Sequence, residues 1–190
     1  MKAAIFSLLA ALWLGACASL PQAPALGRTQ LQAFAVDARF ALKTTDNTGA
    51  ARSASGRMNW THRQSDDLIL LANPLGMALA ELESRPGAAM LRTADNKTYR
   101  DTDAERLLAD LTGYPLPIAR LPAWLLGRGN PESQLTQDGY GRPATLQESG
   151  WTIDYDYDTP SPDALPAHLR AQHKSGINLK LRIEQWTPLP

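Results

Sequence analysis

The sequence predicts a mainly β domain with a few helices. Two observations carry this. Four stretches alternate apolar and polar residues with period two, as antiparallel strands do when one face is wet and the other dry. Helical spacing interrupts them once, between residues 102 and 127. At 190 residues the chain is long enough for one domain with a sizeable core. It contains no internal repeat and no second domain.

The chain opens with a basic residue, Lys2, and an apolar run over residues 3–13. That is a signal peptide, whose apolar part is too brief for a stable membrane span. It ends in Leu14-Gly15-Ala16-Cys17, which resembles the lipobox of bacterial lipoproteins. The resemblance implies cleavage before Cys17, a diacylglyceryl group on its thiol and acylation of the freed amine. Ala18 follows, where Asp would retain an enteric-type lipoprotein in the inner membrane, so the outer membrane is implied. Cys17 is the only cysteine, so no disulfide can form within the chain. Residues 1–16 are thus expected to be a signal peptide and 17–27 a lipidated start and tether, with Pro21 and Pro24 in it. Residues 28–190 are expected to form a single domain. Cleavage removes Lys2 and no acid, so a formally neutral chain becomes slightly acidic. That argues against nucleic acid as a partner.

The first strand puts Phe34, Val36, Ala38, Phe40 and Leu42 on one face, with Asp37, Arg39 and Lys43 on the other. In the second, Gly56, Met58 and Trp60 oppose Arg57, Asn59 and Thr61. Leu68-Ile69-Leu70-Leu71 is a strand-like apolar run, and Ala78-Leu79-Ala80-Glu81-Leu82 can return beside it. Between them lies Asn73-Pro74-Leu75-Gly76-Met77. Asn-Pro and Gly76 are turn signals, yet Leu75 and Met77 stand where a hairpin tip calls for polar residues. Such a tip either folds back onto the core or enters something apolar. Weaker strands are expected over residues 88–93 and 97–100. Turn clusters fall at Asp46-Asn47-Thr48-Gly49, Arg85-Pro86-Gly87 and Asp95-Asn96.

The helical interruption begins with Thr102-Asp103-Ala104-Glu105, a capping-box pattern. Leu107, Leu108 and Leu111 follow at helical spacing, and Gly113 is the expected stop. Pro122 is expected to open a short second helix, in which Trp124, Leu125 and Leu126 are too apolar for a free surface. Residues 130–143 read as an exposed loop, and residues 159–166, with three prolines, cannot be a central strand. Two alternating strands complete the chain. Trp151, Ile153, Tyr155 and Tyr157 oppose Thr152, Asp154, Asp156 and Asp158. Ile177, Leu179, Leu181 and Ile183 oppose Asn178, Lys180, Arg182 and Glu184.

No motif for chemistry emerges. His62, His168 and His173 read as surface histidines without ligand spacing, so no metal is expected. Asp154-x-Asp156-x-Asp158 begins like a calcium loop. However, Thr159 stands where that loop needs Gly and Leu165 where it needs Glu, so the wet face of a strand explains the acids better. No nucleophile elbow or phosphate-cradling loop is present, and an enzyme is not expected.

Taken in order, the chain resembles the LolB family of outer-membrane lipoprotein receptors. The matching pieces are the lipobox; Phe40-Ala41-Leu42; residues 56–60; residues 70–76 with Asn73-Pro74-Leu75-Gly76; Leu111-Thr112-Gly113-Tyr114-Pro115-Leu116-Pro117; Trp124-Leu125-Leu126-Gly127; residues 147–151; Leu165-Pro166; and residues 179–186. The resemblance implies a half-open antiparallel β-barrel, LolA/LolB-like, with a helical plug or lid over an apolar interior that holds acyl chains. It implies a lipid-anchored protein of a Gram-negative outer membrane, facing the periplasm and acting as a monomer. That protein takes acylated lipoprotein cargo from the periplasmic carrier LolA and inserts it into the inner leaflet of the outer membrane, without a cofactor.

On this reading the cavity lining is Phe34, Phe40, Met58, Trp60, Trp124, Leu125, Trp151, Ile153, Tyr155, Leu179, Leu181 and Ile183. Cys17 carries the lipid, and the membrane-inserting turn is Pro74, Leu75, Gly76 and Met77. Two alternatives stay open. One is a lipid-anchored scaffold of the same fold without transfer activity. The other is an enzyme whose site no motif reveals.

Overall fold

A computed structural model describes residues 27–45, 49–114 and 116–190. Cys17, the expected signal peptide and most of the expected tether lie outside the described residues. The described chain forms one antiparallel sheet of eleven strands. They are β1 (Phe34–Thr45), β2 (Ala51–Arg63), β3 (Asp66–Ala72), β4 (Ala78–Arg85), β5 (Ala88–Thr93), β6 (Thr98–Asp101), β7 (Gln134–Gln137), β8 (Pro143–Glu148), β9 (Trp151–Asp156), β10 (His168–His173) and β11 (Ile177–Pro188). Their spatial order is β6-β5-β4-β3-β2-β1-β11-β10-β9-β8-β7. Every neighbour is a sequence neighbour except at the centre, where β1 pairs with β11 from Phe34↔Pro188 to Thr44↔Ile177.

Between the two edge strands, β6 and β7, the chain crosses over the dry face. The crossover carries α1 (Ala104–Thr112) and α2 (Leu121–Leu125). Side chains from β5 and from β9 reach one common cavity. Those strands are seven steps apart in the sheet, which in a flat sheet would separate them by about 34 Å. The sheet is therefore curled into a half-barrel, with the helices across its opening.

The alternation of β1 places Phe34, Val36, Ala38 and Phe40 in the core, and that of β2 does the same for Met58 and Trp60. Gly56 continues the dry face of β2 for a steric reason. A Cβ there would lie 2.0 Å from the Ala72 carbonyl oxygen, next to the register shift where β3 turns into its tip.

The helix start differs from the capping-box reading by one residue. Asp103, not Thr102, is the N-cap, and its side chain accepts from the Arg106 N–H. Gly113 closes α1 as expected, and Pro122 sits in the first turn of α2. The expected loop over 130–143 contains strand β7, and the histidines are half-buried rather than on the surface. His62 packs on the Phe34 ring and His173 on Trp151.

Candidate functional site

The sheet and the crossover enclose an apolar cavity of about 140 Å³, adjoined by a narrow extension of about 20 Å³ under α2. Phe40, Met58, Trp60, Trp151, Leu179 and Leu181 line the main space, and Trp124, Leu125 and Ile153 line the extension. Phe34, Tyr155 and Ile183 are buried but line neither space. Phe34 is instead clamped edge-on between Trp60 and Trp186, and its ring also meets His62.

Most of the wall comes from residues outside the expected lining. They include Ile69, Leu71, Leu82 and Leu91 of β3 to β5, and Leu108, Ile118 and Leu121 of the crossover. In the unbroken run Leu68-Ile69-Leu70-Leu71 no alternation says which residues face inward. The helical spacing of Leu107 and Leu108 was the usable signal on α1, and both are buried.

Among the described residues, Asp, Glu, Lys, Arg and His are absent from the cavity lining, and polar atoms of several buried groups around it are paired behind the wall. Trp60 Nε1 donates to Asp67 Oδ1 at 2.8 Å, and His62 Nδ1 lies 2.8 Å from the same oxygen. Asp67 is itself buried, so its carboxylate depends on these partners. Tyr155 donates to the Trp124 carbonyl at 2.8 Å. Burial pushes its hydroxyl pKa far up, so it remains a donor. Glu148 accepts from Arg120 Nε at 2.6 Å, Arg120 Nη2 at 3.0 Å and the Asn130 N–H at 2.9 Å. Burial alone would raise the Glu148 pKa; the donors outweigh it and hold the carboxyl below the usual range.

The 73–77 tip is the second candidate region. Leu75 is 87% exposed and Met77 62%, so neither folds back onto the core. The backbone here is closed on itself. The Asn73 side-chain oxygen accepts from the N–H groups of Leu75 at 2.9 Å and Met77 at 3.0 Å. The Asn73 carbonyl accepts from Gly76, and Asn73 N–H donates to the Met77 carbonyl, both at 2.9 Å. Gly76 adopts φ of 87°, a conformation that favours glycine. Pro74 has no N–H to satisfy. The tip thus presents apolar side chains over a backbone whose N–H donors are already used, which lowers the cost of leaving water.

Among the described residues no group of three or more His, Cys, Asp or Glu side chains could hold a metal ion. No described helix is long and apolar enough to cross a membrane.

The family model described as Outer membrane lipoprotein LolB matches residues 32–186. The Outer-membrane lipoprotein LolB of Dechloromonas aromatica is 44% identical over 177 residues, covering 93% of this chain and 93% of its own. That of Thiobacillus denitrificans is 32% identical over 182 residues, again 93% of each chain. Among solved structures, a LolA superfamily protein from Nitrosomonas europaea aligns with a TM-score of 0.47 and 9% identity over 84% of this chain and 87% of its own.

Proposed function

The chain belongs to the LolB family of outer-membrane lipoproteins, and from that premise we propose how its parts share the work of a lipoprotein receptor. It is a lipid-anchored receptor of lipoprotein localisation, not an enzyme. In this reading residues 1–16 are removed, Cys17 carries the lipid, and 17–27 tether a monomeric domain of residues 28–190. The periplasmic carrier LolA delivers acylated cargo. The cargo's acyl chains enter between the curled sheet and the crossover, against Phe40, Met58, Trp60, Trp151, Leu179 and Leu181.

The observation that carries the reading is the cavity's wholly apolar wall. Sheltering a chain of about sixteen carbons is worth on the order of 10 kcal/mol at roughly 0.8 kcal/mol per CH₂. A cavity of this size, about 140 Å³, is comparable to an engineered cavity that holds benzene. A full acyl chain therefore needs the crossover to move, and loading and opening are one event. Delivery falls to the 73–77 tip. Burying one Leu is worth roughly 1.5–3 kcal/mol, too little to anchor the protein but enough to bias a tethered domain toward the leaflet.

The test is a two-step transfer. Cargo capture from a purified carrier–lipoprotein complex is measured first, then incorporation into liposomes, with a thermal melt alongside. Leu75→Glu is expected to capture cargo and melt like the parent, because an exposed tip contributes little to stability. Delivery is expected to fall by an order of magnitude or more, since burying an unpaired carboxylate costs several kcal/mol. Normal delivery by the folded variant would defeat the reading. Equal capture of acylated and unacylated cargo would favour a scaffold.

A further inference from the structure

Three arginines stand in one rung on the outer face of the sheet. Arg39 of β1 faces Arg57 of β2 on one side and Arg182 of β11 on the other. All three are exposed. Like charges placed directly opposite destabilise a sheet, so this rung works against the fold unless an anion meets it. Arg39 has one: its Nε lies 2.6 Å from Glu184. Among the described residues Arg57 and Arg182 have no ion pair or side-chain hydrogen bond.

The rung leads to the tip. Opposite Arg57 on β3 is Ala72, the last strand residue before Asn73. A groove of about 690 Å³ on this face is bounded by Arg57 and by Gly76 and Leu79 at the base of the tip, with Leu70 among its lining. Three carboxylates also reach it. Glu184 is taken by Arg39 and Glu81 by Arg92, the latter at 2.8 Å. Asp37 accepts from Asn59 at 2.7 Å. Asp37 keeps its charge, so Arg39, Arg57, Arg92 and Arg182 against Asp37, Glu81 and Glu184 leave the rung and groove together with one net positive charge, on a chain that is neutral as a whole.

We propose that Arg57 and Arg182, with Arg39 between them, bind the phosphate groups of anionic glycerophospholipids in the leaflet that the 73–77 tip enters. This rests on the membrane reading of the tip given above. Two strand spacings put Arg57 and Arg182 about 10 Å apart, and the guanidinium fork matches phosphate oxygens in two-point contacts. A headgroup phosphate between the arginines relieves their mutual repulsion. Leu75 in the hydrocarbon sets the root of the tip, and with it the rung, at the depth where lipid phosphates lie. The apolar side chain supplies insertion, and the rung supplies preference for negatively charged lipid.

The experiment uses the lipid-anchored protein in vesicles, with Met77→Cys carrying an environment-sensitive fluorophore; the Cys17 thiol is closed by its lipid. Phosphatidylcholine vesicles are compared with vesicles containing phosphatidylglycerol as a minor component. Adding phosphatidylglycerol is expected to raise the embedded-to-free ratio of the tip about tenfold, as two arginines near an anionic surface would. The gain should shrink at 1 M salt, where the Debye length is about 3 Å. Arg57→Gln/Arg182→Gln is expected to lose the gain, and Arg57→Lys/Arg182→Lys to keep most of it.

An equal gain in the parent and the glutamine variant overturns the proposal, as does a label that embeds in phosphatidylcholine and ignores phosphatidylglycerol. A label that stays in water in every vesicle defeats the membrane reading of the tip and takes the rung with it. If the glutamine variant instead loses cargo capture from the carrier while keeping the lipid response, the rung faces a protein and the proposal fails.

Discussion

α1 and α2 lie on the same crossover and bury leucines against the same sheet, yet they are held differently. Around α2 every turn of chain is tied to a distant element by a side-chain hydrogen bond. Arg120 binds Glu148 at the end of β8, and Tyr155 of β9 binds the Trp124 carbonyl. Arg28 binds the Leu126 carbonyl at 3.0 Å, and Arg128 Nη2 binds the carbonyls of Arg28, Thr29 and Leu31. The named polar ties of α1 gather at its first turn: Arg106 with Asp101, and Asp103 with the Arg106 N–H. Further along, α1 relies on Leu107 and Leu108, while Leu111 is 39% exposed. Apolar contacts slide and re-form without a fixed geometry, whereas a hydrogen bond to a buried carboxylate does not. If the crossover opens to admit cargo as proposed, α1 is the half expected to move and α2 the half expected to stay.

The largest effect should come from the strongest tie. Glu148→Ala leaves Arg120 unpaired and the Asn130 N–H without its acceptor. The expected loss is about 3 kcal/mol, a fall in melting temperature of roughly 6–12 °C for a domain of this size. Tyr155→Phe removes one donor from the Trp124 carbonyl, which keeps the Gly127 N–H at 2.9 Å, and is expected to cost about 1 kcal/mol, read in the same melt. If either change leaves the melt alone, α2 is not the fixed half.

Asp103→Ala removes the cap of α1, worth about 1 kcal/mol. Hydrogen exchange should show α1 amides opening about fivefold faster, with α2 amides unchanged. Equal acceleration of both would make the crossover one unit.

The smallest effect is acid sensitivity. Glu148 has a lowered folded pKa, so its contribution is present above the ordinary Glu value, about 4.3, and is lost as pH falls through the folded one. The melting temperature should drop more steeply below pH ~4.3 in the parent than in Glu148→Gln. Asp101, held at about 2 by Arg106, keeps the start of α1 tied further into acid.

The strands that were legible in the sequence were those with one wet and one dry face. Phe34, Val36, Met58, Trp60, Trp151, Ile153, Ile177 and Leu181 announce themselves by period two, and all are buried. β7 was not legible because all four of its residues, Gln134 to Gln137, are exposed. With both faces wet, no alternation is left to read. β10 was passed over because its three inward residues, Leu169, Ala171 and His173, alternate with residues that include a second histidine. The tip was legible as an anomaly, Leu75 and Met77 in a turn. What pattern reading could not supply was register. Arg39, Arg57 and Arg182 are far apart in the chain, and only the pairing of β1 with both β2 and β11 sets them side by side.

That central pairing also governs when the protein comes into being. β11, which follows the other ten described strands in the chain, is not an edge; it lies between β1 and β10. Until it arrives the chain has two separate half-sheets, each with an open apolar face. Bringing the two ends of the chain together is the slow kind of folding step, in which a long loop must close before its contacts form. A stop codon shortly before residue 177 would therefore leave a protein with no middle rather than one with a trimmed rim. The apolar cavity closes only once β11, which supplies Leu179 and Leu181 to its wall, is in place.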